Sequence, residues 1–165
     1  AALMGQMRCN YTLGNMEAAK KNATAILPIE NIELEKLIET NLILGKIQYD
    51  AGNLLTAMFH FDYVVKESKT ERGAESQYYR CQILFKQTKY DESRKEIFAL
   101  GDKYAPYEYW VVKGFVLLAD IYTAEEDYFQ ARATLQSILD GYDGDQGIID
   151  EIKQKLAELD ILEKS

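Results

Sequence analysis

Few residues in the chain are of the types that carry out catalysis. Among its 165 residues there is one histidine, His60, and there are two cysteines, Cys9 and Cys81. A single imidazole without a partner at the spacing of metal ligands or of a nucleophile fits neither a metal site nor a catalytic triad. We therefore expect His60 to pack against neighbouring residues or to lie on the surface. No convergent set of acid, base and nucleophile indicates an enzyme.

Residues 140–151 are rich in carboxylates, which are the ligands that Ca²⁺ prefers. The register of an EF-hand loop is absent, because the sixth residue counted from Asp143 is Ile148, where that loop needs a glycine. Counted from Asp140, the third residue is Tyr142 rather than an oxygen ligand. Carboxylates that precede a helix also stabilise its positive N-terminal end. We expect this second role, with calcium binding as the alternative, and no other metal or cofactor.

The net charge of −8 is concentrated at the C-terminal end of the sequence. Residues 1–119 carry 15 basic and 15 acidic side chains, whereas residues 120–165 carry 4 basic and 12 acidic ones. An acidic end repels phosphate backbones and anionic lipids, and no basic stripe occurs elsewhere, so neither nucleic acid nor a membrane surface is an expected partner. The apolar runs are also shorter than the roughly 20 residues that span a bilayer, so no direct membrane insertion is expected.

An internal repeat sets the positions of these side chains. Four segments align when Gly14, Gly52, Thr88 and Glu126 are taken as equivalent turn residues, at offsets of 38, 36 and 38 residues. A fixed period of roughly 20 to 50 residues is typical of stacked repeats. The repeat therefore takes precedence over any local motif in predicting the fold.

The residue types at equivalent positions are those that a helix–turn–helix unit requires. Five residues after each turn comes a small residue, as is needed where two helices approach closely: Ala19, Ala57, Ser93 and Ala131. Seven residues before each turn come Met7, Gly45, Cys81 and Ala119. Cys9 and Cys81 then lie on helices two units apart, roughly 20 Å from each other at about 10 Å per packed helix. We expect no disulfide between them, because a disulfide requires Cα atoms within about 7 Å.

The periodicity predicts an all-α fold of four helix pairs and one further helix. The predicted helices span about 1–13, 16–28, 32–50, 53–67, 71–87, 90–104, 107–124, 127–140 and 147–163. They group into repeats of about 1–31, 32–70, 71–106 and 107–146 within a single array over residues 1–165. The ninth helix is expected to cover the last unit, because the ends of a solenoid need a cap.

These residues resemble the tetratricopeptide repeat. The resemblance is carried by Leu44, Gly45, Gly52, Ala57, Phe61 and Val64 in the second unit and by Leu118, Ala119, Tyr122, Tyr128, Ala131, Leu135 and Ile138 in the fourth. It implies an α–α superhelix, a tetratricopeptide-like solenoid, whose first helices line a concave groove. The long spacing is most similar to repeats of the bacterial cell envelope. That similarity implies a periplasmic or envelope location, with the cytoplasm as the alternative.

The resemblance also implies which side chains face a partner, namely those ten, six, three and two residues before each turn. On these positions we expect a binding groove formed by Arg8, Tyr11, Leu42, Lys46, Tyr49, Asp50, Tyr78, Gln82, Phe85, Lys86, Val116 and Asp120. Aromatic residues contribute most to binding energy at interfaces. The expected anchors are therefore Tyr11, Tyr49, Tyr78 and Phe85, with packing between neighbouring first helices as the alternative for each.

The charged residues of this set narrow the choice of partner. Arg8, Lys46 and Lys86 are the cations that we expect to meet an acidic segment. The chaperone-binding members of the family hold a C-terminal carboxylate with lysines and asparagines at the positions ten and six residues before the turn. Those positions here include Leu42 and Asp120, so this carboxylate clamp is absent and we do not expect that ligand.

Aromatic residues are also concentrated around Pro106, between the third and fourth units. They are Tyr104, Tyr107, Tyr109 and Trp110. Packing between units is the expected role of these rings. The alternative is a docking patch on the convex side, if the rings project outward.

Taken together, the repeat and its aromatic stripe predict a non-enzymatic scaffold. We expect it to bind a protein or an extended peptide in the concave groove. The alternative is a structural role, as the closing segment of a longer solenoid or as a self-association module. Fold alone does not decide between these functions.

Overall fold

The computed structural model describes residues 2–164, and these residues form helices and turns without any strand. The helices are α1 (Ala2–Thr12), α2 (Met16–Ile26), α3 (Leu34–Asp50), α4 (Leu54–Glu67), α5 (Glu71–Lys86), α6 (Tyr90–Lys103), α7 (Glu108–Ala124), α8 (Tyr128–Gly141) and α9 (Gln146–Leu162). Each end lies within two residues of its predicted position. The predicted all-α fold of successive helix pairs is confirmed. No helix in this part of the chain is both long and apolar enough to cross a membrane.

The chain divides into two compact units. Unit 1 is Ala1–Tyr79 and unit 2 is Arg80–Ser165, so that residues 71–79 of α5 belong to unit 1 and residues 80–86 to unit 2. Within unit 1, α1 packs against α2, α2 against α3, and α3 against α4. Within unit 2, α6 packs against α7, α7 against α8, and α9 against both α7 and α8.

Each helix pair is joined by a turn that has the same backbone conformation. The four residues aligned from the sequence all have positive φ: 78° at Gly14, 79° at Gly52, 58° at Thr88 and 62° at Glu126. At the second turn, the amide of Gly52 donates to the carbonyl of Tyr49 and the amide of Asn53 donates to that of Gln48. This is a Schellman motif, which ends one helix as the next begins. The repeat alignment is confirmed at the level of backbone geometry.

Small residues let the helices of a pair approach closely. The four residues five positions after the turns, Ala19, Ala57, Ser93 and Ala131, are all completely buried. In unit 1 a Cβ added at Gly45 of α3 would lie 2.6 Å from a ring carbon of Phe61 on α4. In unit 2 the hydroxyl of Ser93 donates to the carbonyl of Cys81 at 2.9 Å. The small residues are therefore required by contact, as the sequence predicted.

The ninth helix covers the last helix pair. Ile148, Ile152 and Leu159 of α9 are buried in one cluster with Val116 of α7 and Leu135 of α8. Asp145 begins this helix, because its carboxylate accepts a hydrogen bond from the amide of Ile148 at 3.0 Å. The predicted capping helix is confirmed, and one carboxylate of the acidic segment has the predicted role at its N-terminus.

Candidate partner-binding surface

In unit 1 the first helices of successive pairs contact each other through ion pairs. The guanidinium of Arg8 on α1 makes two hydrogen bonds, of 2.5 and 2.6 Å, to the carboxylate of Glu39 on α3. The ammonium of Lys46 on α3 donates to Glu75 on α5 at 2.7 Å. Each pair joins a cation six residues before one turn to a carboxylate thirteen residues before the next. We call the side formed by α1, α3 and residues 71–79 of α5 the first-helix surface of unit 1.

Tyr11 and Tyr79 lie near the second of these ion pairs, and Tyr49 packs against Tyr79. The ammonium of Lys46 lies 5.7 Å from the centre of the Tyr11 ring, within the range of a cation–π contact. The rings of Tyr49 and Tyr79 meet edge to face with their centres 5.0 Å apart. Tyr11, Tyr49 and Tyr79, one from each first helix, are all partly exposed. This tyrosine cluster brings together two of the four predicted anchors.

The electrostatics of the cluster keep its charges fixed at neutral pH. Burial alone lowers the pKa of Lys46, but the hydrogen bond and charge of Glu75 outweigh it, and the pKa is raised. Burial raises the pKa of the Tyr79 phenol to about 12, against the opposing charge of Lys46. Lys46 therefore stays protonated and Tyr79 stays neutral, so the cluster offers apolar ring surface and phenol groups beside a closed ion pair.

The ion pairs show a structural role for Arg8 and Lys46, whose expected contact with an acidic partner stays a prediction. Both cations already have a carboxylate partner within unit 1, and Glu39 also lies 3.5 Å from Arg72. Opening the Lys46–Glu75 pair would leave a partly buried charge uncompensated. These residues therefore hold neighbouring first helices together. The repeat alignment predicts on which side of its helix a residue lies. It does not predict which charged residues of the adjacent helix that residue contacts.

Three other predicted site residues lie in the interior. Leu42 and Tyr78 are 8% exposed and Val116 is 3% exposed. These positions, ten residues before the turn, face neighbouring helices rather than solvent, and for Tyr78 this is the packing alternative. Asp50, two residues before the turn at the end of α3, is exposed.

In unit 2 the predicted residues have a different environment. Phe85 is partly buried against the cluster of Cys81, Ile97 and Ile121, and its ring centre lies 5.6 Å from that of Tyr90. Asp120 accepts a hydrogen bond from Lys155 of α9 at 2.7 Å, while burial raises the pKa of its carboxyl. Gln82 is partly buried and Lys86 is exposed. The most coherent group of predicted residues therefore lies in unit 1.

Sequence reasoning missed Tyr79, Glu39 and Glu75. Tyr79 lies nine residues before its turn, a position that Ile43 and Leu117 occupy in other repeats and that is not expected to face a partner. The two glutamates could be predicted from the sequence. Both lie thirteen residues before a turn, and each follows a cation that lies six residues before the turn of the preceding repeat.

His60 and Cys81, whose residue types are often reactive, are both buried. His60 is buried, and its Nδ1 lies 2.8 Å from the amide oxygen of Asn41. Burial lowers the pKa of the His60 imidazole and raises the pKa of the Cys81 thiol. Cys9 is exposed, and neither cysteine forms a disulfide. Packing therefore accounts for His60 and Cys81.

Residues 2–164 contain no group of three or more histidine, cysteine or acidic side chains placed to hold a metal ion. In the acidic segment, the phenol oxygen of Tyr142 accepts a hydrogen bond from the amide of Asp145 at 2.9 Å. This bond and the helix cap made by Asp145 order the loop.

The aromatic residues around Pro106 divide between the interior and the surface of unit 2. Tyr104 is completely buried with its ring centre 6.5 Å from that of Tyr107, and burial raises the pKa of its phenol to about 12. Tyr109 is exposed and meets Trp110 edge to face, with the ammonium of Lys113 near both rings. Packing therefore accounts for Tyr104, whereas a docking role for the exposed Tyr109 stays a prediction.

Comparisons of this chain with protein-family models, with curated proteins and with solved structures find no match.

Proposed function

We propose that the chain is a non-enzymatic tetratricopeptide-like scaffold whose first-helix surface in unit 1 binds an extended segment of another protein. The observation that carries this proposal is the tyrosine cluster around the Lys46–Glu75 ion pair. Tyrosine rings provide large, rigid, amphipathic contact area at low entropic cost, which is why they dominate interfaces.

The assignment to a tetratricopeptide-like array rests on repeat geometry. Four turns with positive φ recur at 36 to 38 residues, and the small residues that follow them are completely buried. In such arrays the first helices form the ligand-facing side. The contacts between α1, α3 and the start of α5 bring their tyrosines to that side in unit 1.

The structure favours a neutral or mixed partner segment over a strongly acidic one. Arg8, Lys46 and Arg72 are each within ion-pair distance of a carboxylate in unit 1. A partner that brought further carboxylates would have to displace existing ones. Apolar or aromatic side chains of the partner, packed on the tyrosine rings, would instead leave these pairs intact.

The test is capture of the natural partner by the purified chain from the native host. We expect the double variant Tyr11→Ala with Tyr49→Ala to capture at least tenfold less partner, in line with the loss of central aromatic contacts. Circular dichroism should show unchanged helix content. Leu55→Ala is the matched control, because Leu55 is a large apolar residue that is 81% exposed on α4.

Unchanged capture by the Tyr11→Ala and Tyr49→Ala variant would contradict the proposal, as would an equal loss with Leu55→Ala.

Self-association is the second candidate function. Leu55 and Phe59, one helical turn apart on α4, are 81% and 69% exposed, and neighbouring exposed apolar side chains can form a contact between copies. Sedimentation equilibrium distinguishes the candidates. A stable dimer that Phe59→Ser dissociates would favour self-association, whereas a monomer would favour the scaffold.

A further inference from the structure

An open groove runs along unit 2 where α7 and α8 meet. Its volume is about 540 Å³, within the range of about 300–1,000 Å³ found for ligand sites. Val112 and Phe115 of α7 and Ile138 of α8 contribute partly buried apolar side chains to its lining. The groove shares no residue with the first-helix surface of unit 1, so the two sites are independent.

One wall of the groove has a low profile that suits the approach of a helix. Ala133, Ser137 and Gly141 follow one another at intervals of four residues along α8, and all three are exposed. A Cβ added at Gly141 would meet no atom within 4 Å. Ridges with this spacing interdigitate with those of a second helix. At 1.5 Å per residue the wall is about 12 Å long, which matches roughly two turns of a helix.

The charges at one end of the groove are negative. Glu108 is the one charged side chain among the groove's lining residues within the described chain, and Asp140 directly precedes Gly141 at the end of α8. The C-terminal end of α8, at Gly141, adds the negative end of a helix dipole. Unit 2 as a whole carries 17 acidic and 11 basic side chains, a net charge of −6.

We propose that this groove binds a cationic amphipathic helix of a partner protein. Apolar side chains at positions i, i+4 and i+7 of that helix fill the space over Val112, Phe115 and Ile138. A lysine or arginine at its end meets Glu108. The small side chains of α8 let the two helix backbones approach closely.

The probe is a fluorescently labelled peptide of about 15 residues, near the length at which isolated helices become stable in water. It has leucine at i, i+4 and i+7 on one face, and alanine and lysine elsewhere. A second peptide has glutamate in place of each lysine. Fluorescence anisotropy measures the binding of both peptides to the full chain, and we expect the cationic peptide to bind about tenfold more tightly.

Two variants locate the binding. Ser137→Trp fills the groove with a large side chain, and we expect it to weaken binding of the cationic peptide about tenfold or more. Glu108→Lys reverses the charge at the groove's end and should weaken it about fivefold. Thr56→Trp on α4 and Glu92→Lys on α6 are the matched controls, because both positions are exposed away from the groove. Thermal melts verify that each variant folds.

The proposal is overturned if neither peptide binds, if the two peptides bind equally, or if Ser137→Trp and Thr56→Trp behave alike. Binding of octylammonium without binding of the cationic peptide would assign the groove to a small amphiphile instead. A dimer in sedimentation that Ser137→Trp dissociates would assign it to a second copy of the chain. None of these outcomes tests the role of Tyr49 in partner binding, so failure of the groove proposal is distinguishable from failure of the proposed function.

Discussion

Thr88 and Glu126 adopt the left-handed backbone that the other two turns give to glycine. This conformation costs an ordinary L-residue roughly 1–2 kcal/mol of folding free energy. A glycine avoids that cost, but its greater conformational freedom in the unfolded chain offsets part of the gain. We expect Thr88→Gly to raise the free energy of unfolding by about 1 kcal/mol. Urea denaturation measures the change, and an unchanged or lowered value would show that the turn tolerates threonine without strain.

The reverse substitution at the second turn should destabilise the chain. A Cβ added at Gly52 meets no atom within 4 Å, so any cost of Gly52→Ala arises from its φ of 79° alone. We expect a loss of about 1 kcal/mol in the free energy of unfolding. Gly5→Ala is the matched control, because Gly5 lies within α1 and is equally unobstructed. That substitution should stabilise the chain by about 0.5–1 kcal/mol.

His60 should make stability depend on pH in the mildly acidic range. Its pKa is lowered by burial from the ordinary value of 6.5, so the unfolded chain binds a proton more readily than the folded one. The stability is therefore fully present above pH 6.5 and falls as the pH drops through the folded pKa. The non-titrating variant His60→Gln should lack this fall. Parallel unfolding profiles for the two proteins between pH 7 and 5 would contradict the assignment.

The contact between α3 and α4 depends on Gly45. Because an added Cβ would lie 2.6 Å from the Phe61 ring, we expect Gly45→Ala to lower the free energy of unfolding by about 1–3 kcal/mol. Phe61→Leu should relieve part of that cost when the two changes are combined. A double-mutant cycle measures the coupling free energy between the two positions. Strictly additive effects would contradict the expected clash between the added Cβ and the Phe61 ring.

The helices and turns were predictable from the sequence because the signals are local. Gly14 and Gly52 identify the turns, and the completely buried Ala19 and Ala57 recur at a fixed distance from them. The lateral environment of each helix was less predictable, because it depends on residues of the next repeat. Tyr78 was therefore expected on the surface and is buried.

The charged residues show the same limit. Lys46 has the position of a ligand-binding cation, yet Glu75 on the neighbouring helix determines what it binds. Tyr79 joins the tyrosine cluster from a position that no column of the repeat assigns to the surface. Local spacing thus predicted Arg8, Tyr11, Lys46 and Tyr49, whereas Glu39, Glu75 and Tyr79 depend on contacts between repeats.

The stability and solubility of unit 2 should depend on its capping helix, α9. Ile148, Ile152 and Leu159 of α9 are buried against α7 and α8. Removing residues 146–165 exposes this apolar surface, and we expect a lower melting temperature and association in solution. Ile161→Ser is the control, because Ile161 is 70% exposed and should be dispensable. A truncated chain that stays monomeric with an unchanged melting temperature would contradict the capping role.

Site-specific photo-crosslinking in the native host tests partner binding at the first-helix surface of unit 1 most directly. A benzophenone side chain at position 49 lies within the tyrosine cluster, and the same group at position 55 lies on the exposed side of α4. We predict a discrete covalent adduct with one partner protein from position 49 and none from position 55. An adduct from position 55 alone, or from neither position, would contradict partner binding at the first-helix surface.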